Sequence, residues 1–135
     1  MKILGVEHIG IAVDGLDECI EKFENALNLK CEGRETIEAS GVEVAFFGCG
    51  SSKIELVTPA GAASPIGSFL SKRGNAIHHI CLRVEGIDDW LAYLKQIGVE
   101  LIDTVPRQGA SGKRVAFISP RSMCNILIEL SEDTP

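Results

Sequence analysis

Apolar and polar positions alternate within the largely apolar run at residues 6 to 13, which predicts a strand. Over 17 to 27 the period changes, and Cys19, Ile20, Phe23, Ala26 and Leu27 recur at the spacing of one helix face. Asp14 or Asp17 is placed to cap that helix with a side-chain oxygen. Three shorter runs follow at about 34 to 38, 42 to 48 and 53 to 58, separated by Gly41 and by the turn-forming stretch 48 to 52. The resulting order is βαβββ. It begins again with a strand at 77 to 84 and a helix over 88 to 97, where Leu91, Leu94 and Ile97 share a side and Gly98 ends the helix. Strands near 100 to 105, 113 to 118 and 126 to 131 complete the second set. Between the two sets, Ser64-Pro65 supplies an N-cap and a first-turn proline for a short helix over 65 to 72 carrying Ile66, Phe69 and Leu70.

The second set is a copy of the first. Residues 6–13 align with 77–84, 14–17 with 85–88 and 44–47 with 115–118, each 71 positions apart, and Ile54-Glu55-Leu56 aligns with Ile128-Glu129-Leu130 at 74 after a three-residue gain in a turn. Register kept on both sides of one insertion is the mark of tandem modules. The expected fold class is α+β: two tandem βαβββ modules forming a curved, cup-like mixed sheet with helices outside. At 135 residues the chain suits a single domain, with module one at about 1–58, a connector at 59–76 and module two at 77–135.

Each copy carries one histidine and one carboxylate at matched places, His8 with Glu55 and His79 with Glu129. Side chains alternate faces along a strand, so Ile9, Ile11 and Val13 oppose His8, while Ile80, Leu82 and Val84 share a face with His78 and oppose His79. His79, not His78, is therefore the counterpart of His8. Glu55 and Glu129 likewise oppose their isoleucine and leucine neighbours. Taken singly, a strand histidine is most often a hydrogen-bonded structural residue and a strand glutamate a solvated one. The repetition changes the weight, because two carboxylates enclosed without a cation would cost several kcal/mol each, as an order of magnitude. Two imidazoles and two carboxylates suit Zn²⁺, Co²⁺, Mn²⁺, Ni²⁺ or Fe²⁺.

Charge and cysteine usage narrow the partners. Thirteen basic against nineteen acidic residues leave a net charge of -6, which argues against nucleic acid and leaves a small molecule as the expected ligand. The five cysteines form no CxxC pair, an arrangement suited to a reducing compartment. No apolar stretch near Lys2, Gly5, Glu7 and His8 is long enough for a signal peptide or membrane span, so a cytoplasmic location and no membrane partner are expected.

These features resemble the vicinal oxygen chelate, or glyoxalase/bleomycin-resistance, superfamily, and within it the methylmalonyl-CoA epimerase family. The resemblance rests on residues 8–13, 53–59, Ser64-Pro65-Ile66 with Phe69-Leu70, His78-His79-Ile80-Cys81, Gly112-Lys113, Phe117 with Pro120, and 127–130. It implies His8, Glu55, His79 and Glu129 as ligands of one divalent metal, Co²⁺ favoured. It also implies Glu129 as the base that abstracts the α-proton of an acyl-CoA, methylmalonyl-CoA, through a metal-stabilised enolate, and a homodimeric enzyme. A second acid/base of some epimerases aligns with Val44, beside Glu43; Glu43 and Ala45 match Arg114 and Ala116, which places Glu43 on the expected polar side. Arg107, Lys113 and Arg114 are basic residues suited to CoA phosphates. The alternatives are a glyoxalase I type lactoylglutathione lyase, which uses the same ligand set, and a non-catalytic binding member of the superfamily.

Overall fold

The computed structural model describes residues 1–62 and 64–135. Its elements run β1 (Lys2–Ala12), α1 (Leu16–Leu27), β2 (Cys31–Ile37), β3 (Val42–Cys49), β4 (Ser52–Pro59), α2 (Pro65–Arg73), β5 (Ala76–Glu85), α3 (Ile87–Gln96), β6 (Arg107–Gln108), β7 (Arg114–Ile118) and β8 (Ile128–Glu132). The class is α+β, with eight strands in the order β2-β3-β4-β1-β5-β8-β7-β6. Two compact units are present: His8–His78, and Met1–Glu7 together with His79–Pro135. The border thus cuts β1, and the first seven residues belong with the second repeat rather than the first.

In the unit His8–His78, β1 runs parallel to β4, and β3 is antiparallel to both β4 and β2. Helix α1 covers one face of these strands. Val13, Leu16, Ala45, Phe47 and Leu56 form the buried cluster, with Ile11, Cys19, Ile20, Phe23 and Leu29 packed against it. Ala26 and Leu27, expected on this helix face, are exposed; the chain leaves the helix through Asn28 in the left-handed region, and Leu29 packs in their stead. Ser64 caps α2 as expected, its Oγ accepting the Ile66 N–H at 3.3 Å with Pro65 following.

The other unit repeats the plan. Strand β5 is parallel to β8, β7 is antiparallel to β8, and α3 buries Ile87, Leu91 and Leu94 against Val84, Ala116, Ile118 and Leu130. Ile97, expected on the same side, is 55% exposed, because the helix has ended there and Gly98 turns away at φ +85°.

Two local expectations fail. The segment 100 to 105 is not a strand: it keeps one isolated bridge, Leu101 to Ile118, and strand pairing resumes at β6. Ile102 N–H and Asp103 N–H both donate to the Phe117 carbonyl, while the Asp103 carboxylate accepts the Phe117 N–H at 2.9 Å, so a side chain replaces the strand's own carbonyl. Pro106 then removes a backbone donor. Nor does an aspartate cap α1. Its N-cap is Gly15, in the left-handed region and without a side-chain bond, and its counterpart Gly86 opens α3 in the same conformation. Asp17 turns to Arg34 instead, and the N-terminus of α3 is held from β8, where Glu132 accepts the Gly86 N–H at 2.6 Å.

A side chain with a Cβ is strained at such a position. Gly86→Ala is expected to lower unfolding stability by about 1–2 kcal/mol, read as a shifted urea midpoint at unchanged slope. An unchanged midpoint would show that the left-handed turn is not required.

Candidate functional site

Strand register places each histidine with its carboxylate. On β1 and β4 the paired positions are Ile9 with Ile54, Gly10 with Glu55 and Ile11 with Leu56; on β5 and β8 they are Ile80 with Ile128, Cys81 with Glu129 and Leu82 with Leu130. The two registers are the same when counted through the repeat. Residues paired across strands share a face, so Glu55 stands beside Gly10 on the face of His8, and Glu129 beside Cys81 on the face of His79. The third strand supplies the same neighbour in each unit, Phe46 opposite Glu55 and Phe117 opposite Glu129.

The side chains meet accordingly. In the first unit His8 Nδ1 lies 3.0 Å from Glu55 Oε2; in the second His79 Nε2 lies 3.3 Å from Glu129 Oε1. All four residues are buried, at 5%, 5%, 7% and 7% exposure for His8, Glu55, His79 and Glu129. Small neighbours make this possible, since Gly10 and Cys81 fill little of the face on which the imidazoles lie. His78 is elsewhere: its ring stands edge-on to Phe69 with centroids 4.8 Å apart, as the strand parity required.

Groups of three buried histidine and carboxylate donors, with ligand atoms within 4.8 Å of one another, occur among the described residues; His79 and Glu129 belong to one, His8 and Glu55 to another. Imidazole nitrogen and carboxylate oxygen together suit a divalent transition metal. The donor set therefore fits such an ion.

Of the three basic residues expected near the ligand, two are committed to other contacts. Arg114 binds Asp88 and Glu132 beside α3, and those carboxylates hold its guanidinium above its ordinary pKa. Lys113 is ion-paired with Asp133 and lies 3.7 Å from Glu7, and its ammonium lowers the Asp133 pKa. Arg107 differs. Its guanidinium lies over the Phe117 ring at 5.4 Å, Phe117 meets His79 edge-on at 5.5 Å, and Asp103 steadies Arg107 Nε at 3.3 Å. This chain of contacts puts a positioned cation on the face that carries His79 and Glu129. The alignment of Phe46 with Phe117 in the two repeats was a sequence signal for half of it.

Glu43 is not on the expected side. Its neighbours Ala45 and Phe47 belong to the cluster under α1, and its carboxylate accepts from Arg34 Nε at 3.0 Å, with Asp17 on the same guanidinium. It is Val44 that shares the face of Glu55, at 2% exposure. The matched pair Glu43 and Arg114 thus marks a helix-covered face closed at its end by ion pairs, not a polar one.

The profile of the glyoxalase/bleomycin resistance protein/dioxygenase superfamily matches residues 7–117. An uncharacterised Bacillus subtilis protein, YqjC, is 45% identical over 94% of this chain and 91% of its own length. The mitochondrial methylmalonyl-CoA epimerase of Dictyostelium discoideum is 38% identical over 94% of this chain and 77% of that protein. Among solved structures, a variant of Streptomyces coelicolor methylmalonyl-CoA epimerase in complex with 2-nitronate-propionyl-CoA superposes with a TM-score of 0.93, at 28% identity, covering 99% of this chain and 100% of that one. The chain belongs to the glyoxalase/bleomycin resistance protein/dioxygenase superfamily. Within it, the chain is an enzyme of the isomerase class to which those epimerases belong.

An exposed ion pair contributes little, so Glu43→Gln is expected to leave turnover within about twofold of wild type. A much larger loss would return Glu43 to the reacting centre.

Proposed function

We propose that this protein is a metal-dependent epimerase interconverting the (R) and (S) forms of methylmalonyl-CoA. The observation that carries the reading is the repeated His–Glu pair, kept at one register in both units and buried in both. The epimerases among the relatives support the substrate. His8, Glu55, His79 and Glu129 are the residues that would hold one divalent ion, and residues 1–135 would then act as one functional domain. Co²⁺ is the ion favoured here, although Zn²⁺, Ni²⁺, Mn²⁺ and Fe²⁺ suit the same donors. Bound there, the ion supplies Lewis-acid stabilisation of the negative charge that develops on the acyl oxygens.

Glu129 abstracts the α-proton, which the flanking thioester and carboxylate acidify; His79, 3.3 Å away, orients it. Burial keeps bulk water from this carboxylate. Arg107 meets an anionic part of the substrate, either the acyl carboxylate or a CoA phosphate. The exposed Ile3, Leu4 and Val6 of β1 support homodimerisation through that segment, and the five cysteine side chains, held as thiols, support a reducing, cytoplasmic setting.

Metal-loaded protein is expected to epimerise methylmalonyl-CoA and to exchange its α-proton with deuterium from solvent. Glu129→Gln should reduce exchange by about 10²–10⁴-fold, the usual contribution of a positioned acid/base. Absence of exchange with any of Co²⁺, Mn²⁺, Ni²⁺ or Zn²⁺, alongside turnover of methylglyoxal with glutathione, would replace this reading by the lyase.

Arg107→Gln is expected to raise KM by about tenfold with a smaller change in kcat, as for the loss of one charged hydrogen bond of roughly 1.5–3 kcal/mol. Comparing methylmalonyl-CoA with a methylmalonyl thioester lacking the nucleotide separates the two anions. A KM effect confined to the CoA ester identifies the phosphate, and an equal effect on both identifies the carboxylate. An unchanged KM would remove Arg107 from the binding site.

A further inference from the structure

Each glutamate of the repeated pair has a phenylalanine beside it, and each of those rings carries a cation. In the second repeat the cation is Arg107, over Phe117. In the first it is Lys53, whose ammonium stands 5.9 Å from the ring centroid of Phe46, the residue opposite Glu55. The two cations do not correspond in the repeat: 74 positions after Lys53 comes Leu127, whereas Arg107 stands on the edge strand β6. The same trio of carboxylate, ring and cation is thus built twice from different positions. Register puts Lys53 on the face of Glu55, two residues away along β4, and directly beside His8 of β1. Its partner on β3 is Gly48, over which Glu32 of β2 leans, so that an added Cβ at Gly48 would lie 3.0 Å from Glu32 Oε1. Even so, Lys53 forms no ion pair among the described residues, with Glu32 or with Glu55, and the Phe46 ring is what its ammonium meets. Arg34, Arg83, Arg107, Lys113 and Arg114 each lie against a carboxylate, which sets this half-buried lysine apart. A contact with a ring face leaves the ammonium N–H donors without a protein acceptor.

We propose that Lys53 binds the acyl carboxylate of the substrate, an assignment that rests on the function given above. A malonyl thioester carries that carboxylate on the carbon that loses the proton, whereas the phosphates of CoA lie at the far end of the pantetheine arm. Adjacent strands are about 4.8 Å apart, so an anion held by Lys53 stands close to His8 and Glu55, where the acyl group and not the nucleotide belongs. A hydrogen bond from an ammonium to an ionised oxygen is among the stronger kinds. The carboxylate takes the place of water on the ammonium, while the Phe46 ring keeps the lysine on this face. Lys53 makes and breaks no bond, and proton abstraction stays with Glu129. A propionyl thioester has no such carboxylate and gains nothing from this contact, so Lys53 discriminates a malonyl thioester from a simple acyl one.

The test measures, by calorimetry on metal-loaded protein, the binding of methylmalonyl-CoA and of propionyl-CoA, which differ by that carboxylate. Lys53→Met keeps an apolar stem and loses the charge; it is expected to raise the Kd of methylmalonyl-CoA by about tenfold and to leave that of propionyl-CoA within about twofold. Lys53→Arg should recover most of the affinity, and the metal content and circular dichroism of both variants should match wild type. Equal weakening of the two ligands would overturn the assignment in favour of a CoA phosphate. Unchanged binding of both would remove Lys53 from the site, and loss of the bound ion from Lys53→Met would make it a support of Glu55 instead. Binding is read without turnover, so a wild-type protein that holds methylmalonyl-CoA through Lys53 but exchanges no α-proton would sink the epimerase and keep the carboxylate subsite.

Discussion

The interaction on which the arrangement depends is the burial of an ionisable pair between neighbouring parallel strands. Glu55 and Glu129 are each withdrawn from water, a change that costs several kcal/mol per charge in order of magnitude unless a partner offsets it. The imidazole on the adjacent strand is that partner, and it reaches because the carboxylate is paired one alternate position further along. A slip of one residue would send the carboxylate to the helix-covered face. The isoleucines and leucines flanking each glutamate oppose such a slip. Apolar packing under α1 and α3 therefore holds the polar geometry on the other side of the strands.

A second buried charge explains why the beginning of the chain belongs with the second repeat. Glu7 is 2% exposed and receives Arg83 at 3.3 Å, with Lys113 at 3.7 Å. Removing either cation would leave a carboxylate buried with weaker compensation. The same contacts remove Lys113 from the pool of residues free to meet a phosphate, just as Asp88 and Glu132 remove Arg114. Two cations that look equivalent to Arg107 along the chain thus become structural, and Arg107 keeps its place on the Phe117 ring.

The repeats differ where their surroundings differ. Gly109 approaches β7 so closely that an added Cβ would lie 2.7 Å from Val115 Cγ1, which ties the turn before β7 to glycine. Asp103 and Pro106 interrupt what would have been a full-length counterpart of β2 in the second repeat, so one edge strand has seven residues and the other two. In an edge strand such a loss is tolerable, because only one neighbour has to be satisfied.

Most of the architecture was legible in the sequence, since alternation, helical spacing and a 71-residue repeat are local or self-comparing signals. They determined the βαβββ order, the Ser64 cap, the choice of His79 over His78 and the pairing of each histidine with a glutamate. The broken segment at 100 to 105 was not legible, because its apolar pattern is that of a strand and only Asp103 turning back on Phe117 shows otherwise. Glu43 was misplaced for a related reason. Parity says which residues share a face, but only the packing of α1 says which face is covered. The ion pair between Glu7 and Arg83, 76 positions apart, and the pairing of Glu35 with Val44 likewise depend on where strands cross. Such contacts follow from long-range pairing, whose partners are chosen by the burial of whole faces and not by the residues adjacent in the chain.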